Sequence, residues 1–183
     1  MPKTAIMLDL ETLATSTDAA ILSIGAVKFD PFGNGINDTD PVFYTRVDVD
    51  SCDELNLTVS DSTIEWWSKQ SSKAQEEAFN PKGRLHIKTA FEDLYKFCWG
   101  CKTVWSNGAA FDVVICETVF NRIGKKVPWD YWQVRDCRTL FDVELIGHDP
   151  EKPNTTAHNA LEDAIAQAKC VQNVLRKLKG NQI

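Results

Sequence analysis

Long hydrophobic runs are missing from this chain of 183 residues, and other shortages narrow it further. No stretch approaches the roughly 20 apolar residues that a membrane span needs. The amino terminus, MPKTAIMLDLE, meets acidic residues after only a few apolar ones, so it does not read as a secretory signal. The expectation is a cytoplasmic protein with reduced thiols and no membrane partner. Net positive charge is lacking too: 20 Lys and Arg stand against 26 Asp and Glu, a balance of −6. That excludes a non-specific nucleic-acid coat but leaves room for a basic groove beside an acidic site. Basic residues gather at Lys82, Arg84 and Lys88, at Arg122, Lys125 and Lys126, and at Arg135 and Arg138. Each cluster reads first as a solvated face.

A second Cys-x-x-Cys is also absent. Six cysteines include the pair Cys98 and Cys101 in CWGC, while Cys116, Cys137 and Cys170 are scattered. A lone pair of this kind can be a redox motif or half a zinc site. Here it closes the helical apolar pattern AFEDLYKFCW and does not follow a strand, so it reads as core packing.

What is present is ordinary globular material, 43% hydrophobic and 25% charged, without internal repeats, and long enough for one domain over residues 1–183. Ala5 to Leu8 begin a buried strand. AAILSIGAVKF (19–29) and VFYTRVDV (42–49) supply two more, and close succession suggests an antiparallel meander. STIEWWSKQSSKAQEEAF reads as one or two short helices and IKTAFEDLYKFCW (87–99) as another. TVWSN is a short strand before the helix AAFDVVICETVFNRIG, which Gly124 stops. WQVRDCRTLFDVELIG is a strand running into a helix ended by Gly147, and a last helix follows the loop HDPEKPNTT. Strands first, then alternating helix and strand, predict a mixed α/β sheet with helices packed on it.

The chemistry starts in AIMLDLETL. On a strand Asp9 and Glu11 share one face and Leu8 and Leu10 the other. Two neighbouring carboxylates at the end of an apolar strand repel each other and resist desolvation. The competing pairs are weaker. Asp142 and Glu144 diverge on a helix, and Asp48 and Asp50 sit where water can solvate both. In HNALEDA, Asn159 is a plausible N-cap with Glu162 as its partner, which leaves His158 just outside the helix, free to swing, and Asp163 in its first turns. His158 is one of only three histidines. In NGAAFD, Asp112 falls on the first turn of a helix that follows a buried strand, where the helix dipole alone would favour an acid.

Taken in order, Asp9-x-Glu11, Asp112 in NGAAFD and His158-x4-Asp163 resemble the three motifs of the DEDDh, or DnaQ-like, 3′–5′ exonucleases, over residues 5 to 170. RDCRTLFD and IEWW further resemble the small phage and bacterial members, of the exoribonuclease and exonuclease VIII-like group. The resemblance implies an RNase H-like fold, a five-stranded mixed sheet flanked by helices. It implies metal-dependent hydrolysis from the 3′ ends of single-stranded DNA or RNA, releasing nucleoside 5′-monophosphates. Two divalent cations are implied, Mg²⁺ with Mn²⁺ able to substitute. Asp9, Glu11 and Asp163 would hold the one that carries the attacking water, and Asp9 with Asp112 the other, beside the leaving 3′ oxygen. His158 would be the general base, its ordinary pKa near 6.5 suiting that task.

Thr12 and Leu13 match positions that line the 3′-terminal nucleotide in relatives. Phe111 would stack nearby; Trp66 with Trp67 would either stack a second base or, as a Trp pair on a helix more often does, pack. The chain departs from the proofreading members at TLATSTDAA, where those have Thr-Thr or Thr-Gly, which bears on substrate preference. The sequence is equally compatible with a monomer and a homodimer. The alternative reading is a catalytically inactive nucleic-acid-binding or interaction module on the same fold; all five site residues are present, which disfavours it.

Overall fold

The computed structural model describes residues 4–143 and 158–180. Strands β1 (Ala5–Thr12), β2 (Ile21–Phe29) and β3 (Val42–Val47) form the expected antiparallel meander. Helices α1 (Asp50–Asp53), α2 (Asp61–Ser68) and α3 (Ser72–Phe79) lead to β4 (Arg84–Leu85) and α4 (Ile87–Cys98). Then come β5 (Thr103–Ser106), α5 (Asp112–Arg122), a 3-10 turn at Tyr131–Gln133, β6 (Val134–Asp136), α6 (Cys137–Val143) and α7 (Ala160–Gly180). The strands make one mixed sheet in the order β4-β3-β2-β1-β5-β6. Five strands were expected and six are found among the described residues. The extra one, β4, pairs with β3 through only two residues, too few for any alternation to show in the sequence. The end expected for α6 at Gly147, the loop after it and Glu144 lie outside the described residues.

The central strand β1 is covered on both faces, which is why its apolar run is nearly continuous. Ile6, Leu8 and Leu10 point into the larger core, with Phe91 of α4 and Phe120 of α5. Ala5 and Met7 point the other way, into a smaller core against Ala164, Ala168 and Val171 of α7. Asp9 and Glu11 continue this second face, so the strand's period of two delivers both acids to the side that α7 covers.

A single glycine sets how closely α7 lies. Gly25 of β2 stands directly opposite Asp9 in the antiparallel register. A Cβ built on it would fall 2.1 Å from the carbonyl carbon of Ala160 and 2.2 Å from the nitrogen of Leu161. Backbone meets backbone there, and only glycine leaves the room. The small residues Ala160, Ala164 and Ala168, all fully buried, extend the same close approach along the helix. Among the described residues, no helix is long and apolar enough to cross a membrane.

Candidate active site

The pairing of β1 with β5 stops at Met7 opposite Trp105, and the acids begin just beyond. There the N–H of Leu10 donates to Oδ1 of Asp112 at 3.2 Å, in place of a strand partner. Asp112 opens α5 and is buried, at 4% exposure. From the other side α7 brings Asp163. The ligand oxygens of Asp9, Glu11 and Asp163 all lie within 4.8 Å of one another. Residues from both ends of the chain thus converge at one end of the sheet, as the motif order implied.

The electrostatics record the crowding. Burial, then the charges of Asp112 and Glu11, hold the Asp9 carboxyl well above the usual range. Burial, followed by Asp163 and Asp112, pushes Glu11 up to about 8. Asp163 is raised to about 6, by burial and then by Glu162. Burial lifts Asp112 to about 7, against the pull of the Leu10 amide, its own amide, the Ser106 hydroxyl and the charge of Arg138. Three hard oxygen donors packed this closely, each penalised for carrying its charge, fit a hard divalent cation.

α7 begins as the sequence predicts. Oδ1 of Asn159 accepts from the N–H groups of Leu161 and Glu162, both at 3.1 Å. His158, just outside, has φ +71°, a region few non-glycine residues adopt. It is not free to swing. Its ring packs edge-on against Trp66, centroids 4.8 Å apart, and Trp67, 5.6 Å apart. Trp67 is buried, and its indole Nε1 donates to the carbonyl of Thr12 at 2.9 Å, tying α2 to the end of β1. Trp66 stays 43% exposed. The tryptophan pair, read from sequence as a stacking surface or as packing, packs the histidine.

The other expected contact residues lie close by. Thr12 follows an irregularity between Glu11 and Thr12, and its hydroxyl donates to the carbonyl of Ala14 at 2.8 Å. The Leu13 side chain is buried in the larger core, and Phe111 is half-buried at the mouth of α5. Cys98 is buried at the end of α4 and Cys101 is half-buried. All six cysteines are free thiols, and burial pushes both members of this pair up.

Gln167 was not anticipated. Its Nε2 donates to Oδ1 of Asp9 at 2.8 Å, and its buried Oε1 has no hydrogen-bond partner among the described residues. It stands four residues after Asp163, on the same side of the helix. That spacing is the signal that could have found it. Gly25 was missed as well, although a lone glycine inside an apolar strand marks close approach.

Known proteins resemble this chain in sequence and in fold. The exodeoxyribonuclease of Enterobacteria phage T4 is 22% identical over 214 aligned positions, covering 95% of this chain and 90% of the phage protein. Among solved structures, the RNase domain of yeast Pop2 superposes with a TM-score of 0.64 at 11% identity, covering 99% of this chain and 80% of that one. Exonuclease X, solved with 5′-overhanging duplex DNA, gives 0.53 at 14% identity, over 94% and 92%. The fold is therefore the RNase H-like fold of DnaQ-like exonucleases. The family described as the 3′-5′ exoribonuclease Rv2179c-like domain matches residues 4–175, and the chain, a nuclease by that descent, belongs to it.

Proposed function

We propose that the chain is a metal-dependent 3′–5′ exonuclease of the DEDDh type, removing nucleotides from the 3′ ends of single-stranded nucleic acid as nucleoside 5′-monophosphates. The observation that carries this reading is the convergence of Asp9, Glu11 and Asp163 within 4.8 Å, on a face that α7 closes. Two divalent cations, Mg²⁺ or Mn²⁺, would offset the charge that grows on the phosphodiester and stabilise its entering and leaving oxygens. Asp9, Glu11 and Asp163 would hold one and Asp9 with Asp112 the other. His158, seated by Trp66 and Trp67, accepts the proton of the attacking water. Thr12 borders the terminal nucleotide, with the Leu13 side chain packed in the core behind it. Phe111 and the exposed part of Trp66 offer ring faces to bases.

The sugar is the open specificity. The family description speaks of an exoribonuclease and the phage relative is an exodeoxyribonuclease, so both belong in one experiment. Matched 5′-labelled DNA and RNA oligonucleotides, single- and double-stranded, are digested with Mg²⁺, with Mn²⁺ and with chelator. The expected products are ladders shortening from the 3′ end together with nucleoside monophosphates. Single strands should go faster, because a paired end must first be unstacked at a cost of a few kcal/mol. Cleavage of a circular single strand, or release in chelator, would overturn the assignment. Binding without cleavage under either metal would favour the inactive module.

A further inference from the structure

Six arginines occur in the chain, and five are occupied. Arg46 pairs with Glu77, Arg84, Arg122 and Arg135 donate to backbone carbonyls, and Arg176 donates to Asn34 and Asn173. Arg138 differs. Among the described residues its guanidinium makes no ion pair or hydrogen bond, and the residue is exposed. Its position is nonetheless built. Gly108, in the loop between β5 and α5, has φ +117°, and a Cβ there would lie 3.2 Å from the guanidinium carbon. The bare backbone of Gly108 is a flat seat for the planar group.

One carboxylate fixes both parts of that seat. Oδ2 of Asp136 accepts from the N–H of Ala109 and Oδ1 from the N–H of Arg138, each at 2.8 Å. The loop carrying Gly108 is thereby clamped to the start of α6. The N–H of Phe111 closes the same loop onto the carbonyl of Gly108 at 2.8 Å, and Asp112 follows immediately. A positive group is held beside the acidic cluster, on the Asp112 side where its charge is felt, and the residue that carries it is exposed. The planar fork of donors on a guanidinium matches the two free oxygens of a phosphodiester.

We infer that Arg138 binds a backbone phosphate of the substrate, the one immediately 5′ of the scissile linkage, and so sets the register of the strand over the carboxylates. This rests on the exonuclease reading, which places the leaving 3′ oxygen beside Asp112. A guanidinium there offsets the repulsion that an acidic cleft imposes on an incoming polyanion. It also lets the site prefer a substrate with at least one further phosphate over an isolated 3′-terminal linkage.

The test pairs Arg138→Ala and Arg138→Lys with oligonucleotides carrying one neutral methylphosphonate at successive linkages from the 3′ end. Turnover is read as kcat/KM with Mg²⁺ or Mn²⁺, and binding by fluorescence anisotropy of the same 5′-labelled strands. Native protein should lose about tenfold to a hundredfold in binding and in kcat/KM when the linkage 5′ of the scissile one is neutral. Arg138→Ala should show the same loss on the natural strand and no further loss on that neutral one, as expected of two partners of one contact. Arg138→Lys should recover part of it, and thermal melting of both variants should match the native protein. Equal binding by native and Arg138→Ala proteins, or coupling at a different linkage or at none, overturns the assignment. A native protein that binds strands but cuts none fails the exonuclease reading, while anisotropy still decides whether Arg138 grips that phosphate.

Discussion

Arg84 and the cluster of Asp9, Glu11 and Asp163 are both charged groups drawn out of water, and the protein treats them oppositely. Around Arg84, Nη1 donates to the carbonyls of Val47 at 2.6 Å and Leu22 at 3.2 Å, Nε donates to Asn80 at 2.9 Å, and Nη2 donates to Ala78. Every arm of the guanidinium has an acceptor, and the result stitches α3 to the outer edge of the sheet. The carboxylates face one another instead, and burial raises all three, with repulsion from cluster acids added at Asp9 and Glu11 and from Glu162 at Asp163. A desolvated charge whose bonds are complete is a structural device. One whose nearest neighbours repel it suits a cation, the role proposed for this cluster. Arg84 sits in the first of the basic clusters read from sequence as solvated faces, and its inward turn takes it off that face.

The contrast is most easily broken at the acids. Asp163→Ala should abolish turnover with either metal while the metal-free variant melts at or above the native temperature, because repulsion is relieved. Near-native turnover in a nuclease assay would remove Asp163 from the metal site. His158→Ala should cost roughly 10² to 10⁴ in rate with metal affinity intact, and should erase the rise of rate with pH that an imidazole base produces. A variant whose pH profile keeps the native inflection would show that another group takes the proton.

Arg84→Ala should behave in the opposite sense. It should lose about 2–4 kcal/mol in urea unfolding, because several buried carbonyls lose their donor, yet keep native turnover per folded molecule. Gln167→Leu sharpens the comparison from inside the site. It removes the amide that orients Asp9, and Mn²⁺ affinity read calorimetrically without substrate should fall about tenfold to a hundredfold. Unchanged affinity would reduce Gln167 to packing.

The smallest effect is on pH. Glu11, Asp112 and Asp163 titrate near 8, 7 and 6 when folded, whereas unfolded carboxyls titrate at about 4. The folded form therefore keeps protons that the unfolded chain has lost. Their contribution is complete below pH ~4 and disappears as pH rises through 6 to 8. Melting of the metal-free protein should fall by a few degrees between pH 5 and 9, and saturating Mg²⁺ should cancel the slope. A metal-free melting temperature that climbs over this interval would contradict the raised values.

Much of this was legible in the residues alone. The alternation along β1 put Asp9 and Glu11 on one face, and Asn159 announced the start of α7, because both are local consequences of strand and helix periods. The three motifs then told which distant segments meet. What stayed hidden depends on partners far along the chain. Trp67 reaches the carbonyl of Thr12, and Asp136 clamps Ala109. No period of one segment reports such meetings. β4 escaped for a simpler reason, since two residues carry no pattern. Gly25 was readable and passed over, because β-branched neighbours made its strand look complete.

The close seat of α7 on Gly25 bears on how the molecule comes into being. A ribosome delivers Asp9 and Glu11 early and Asp112 later, with the strands that position them. A chain grown as far as residue 143 holds all six strands of the described sheet, with Asp9, Glu11 and Asp112. His158, Asp163 and Gln167 arrive together on one helix, and that helix finds its place only where a strand glycine leaves a gap. The acids of β1 and α5 are thus made before the helix that brings Asp163 to them. Until that helix is made, the nascent chain carries the acids of β1 and α5 beside the ribosome's own RNA without Asp163 to complete the cluster.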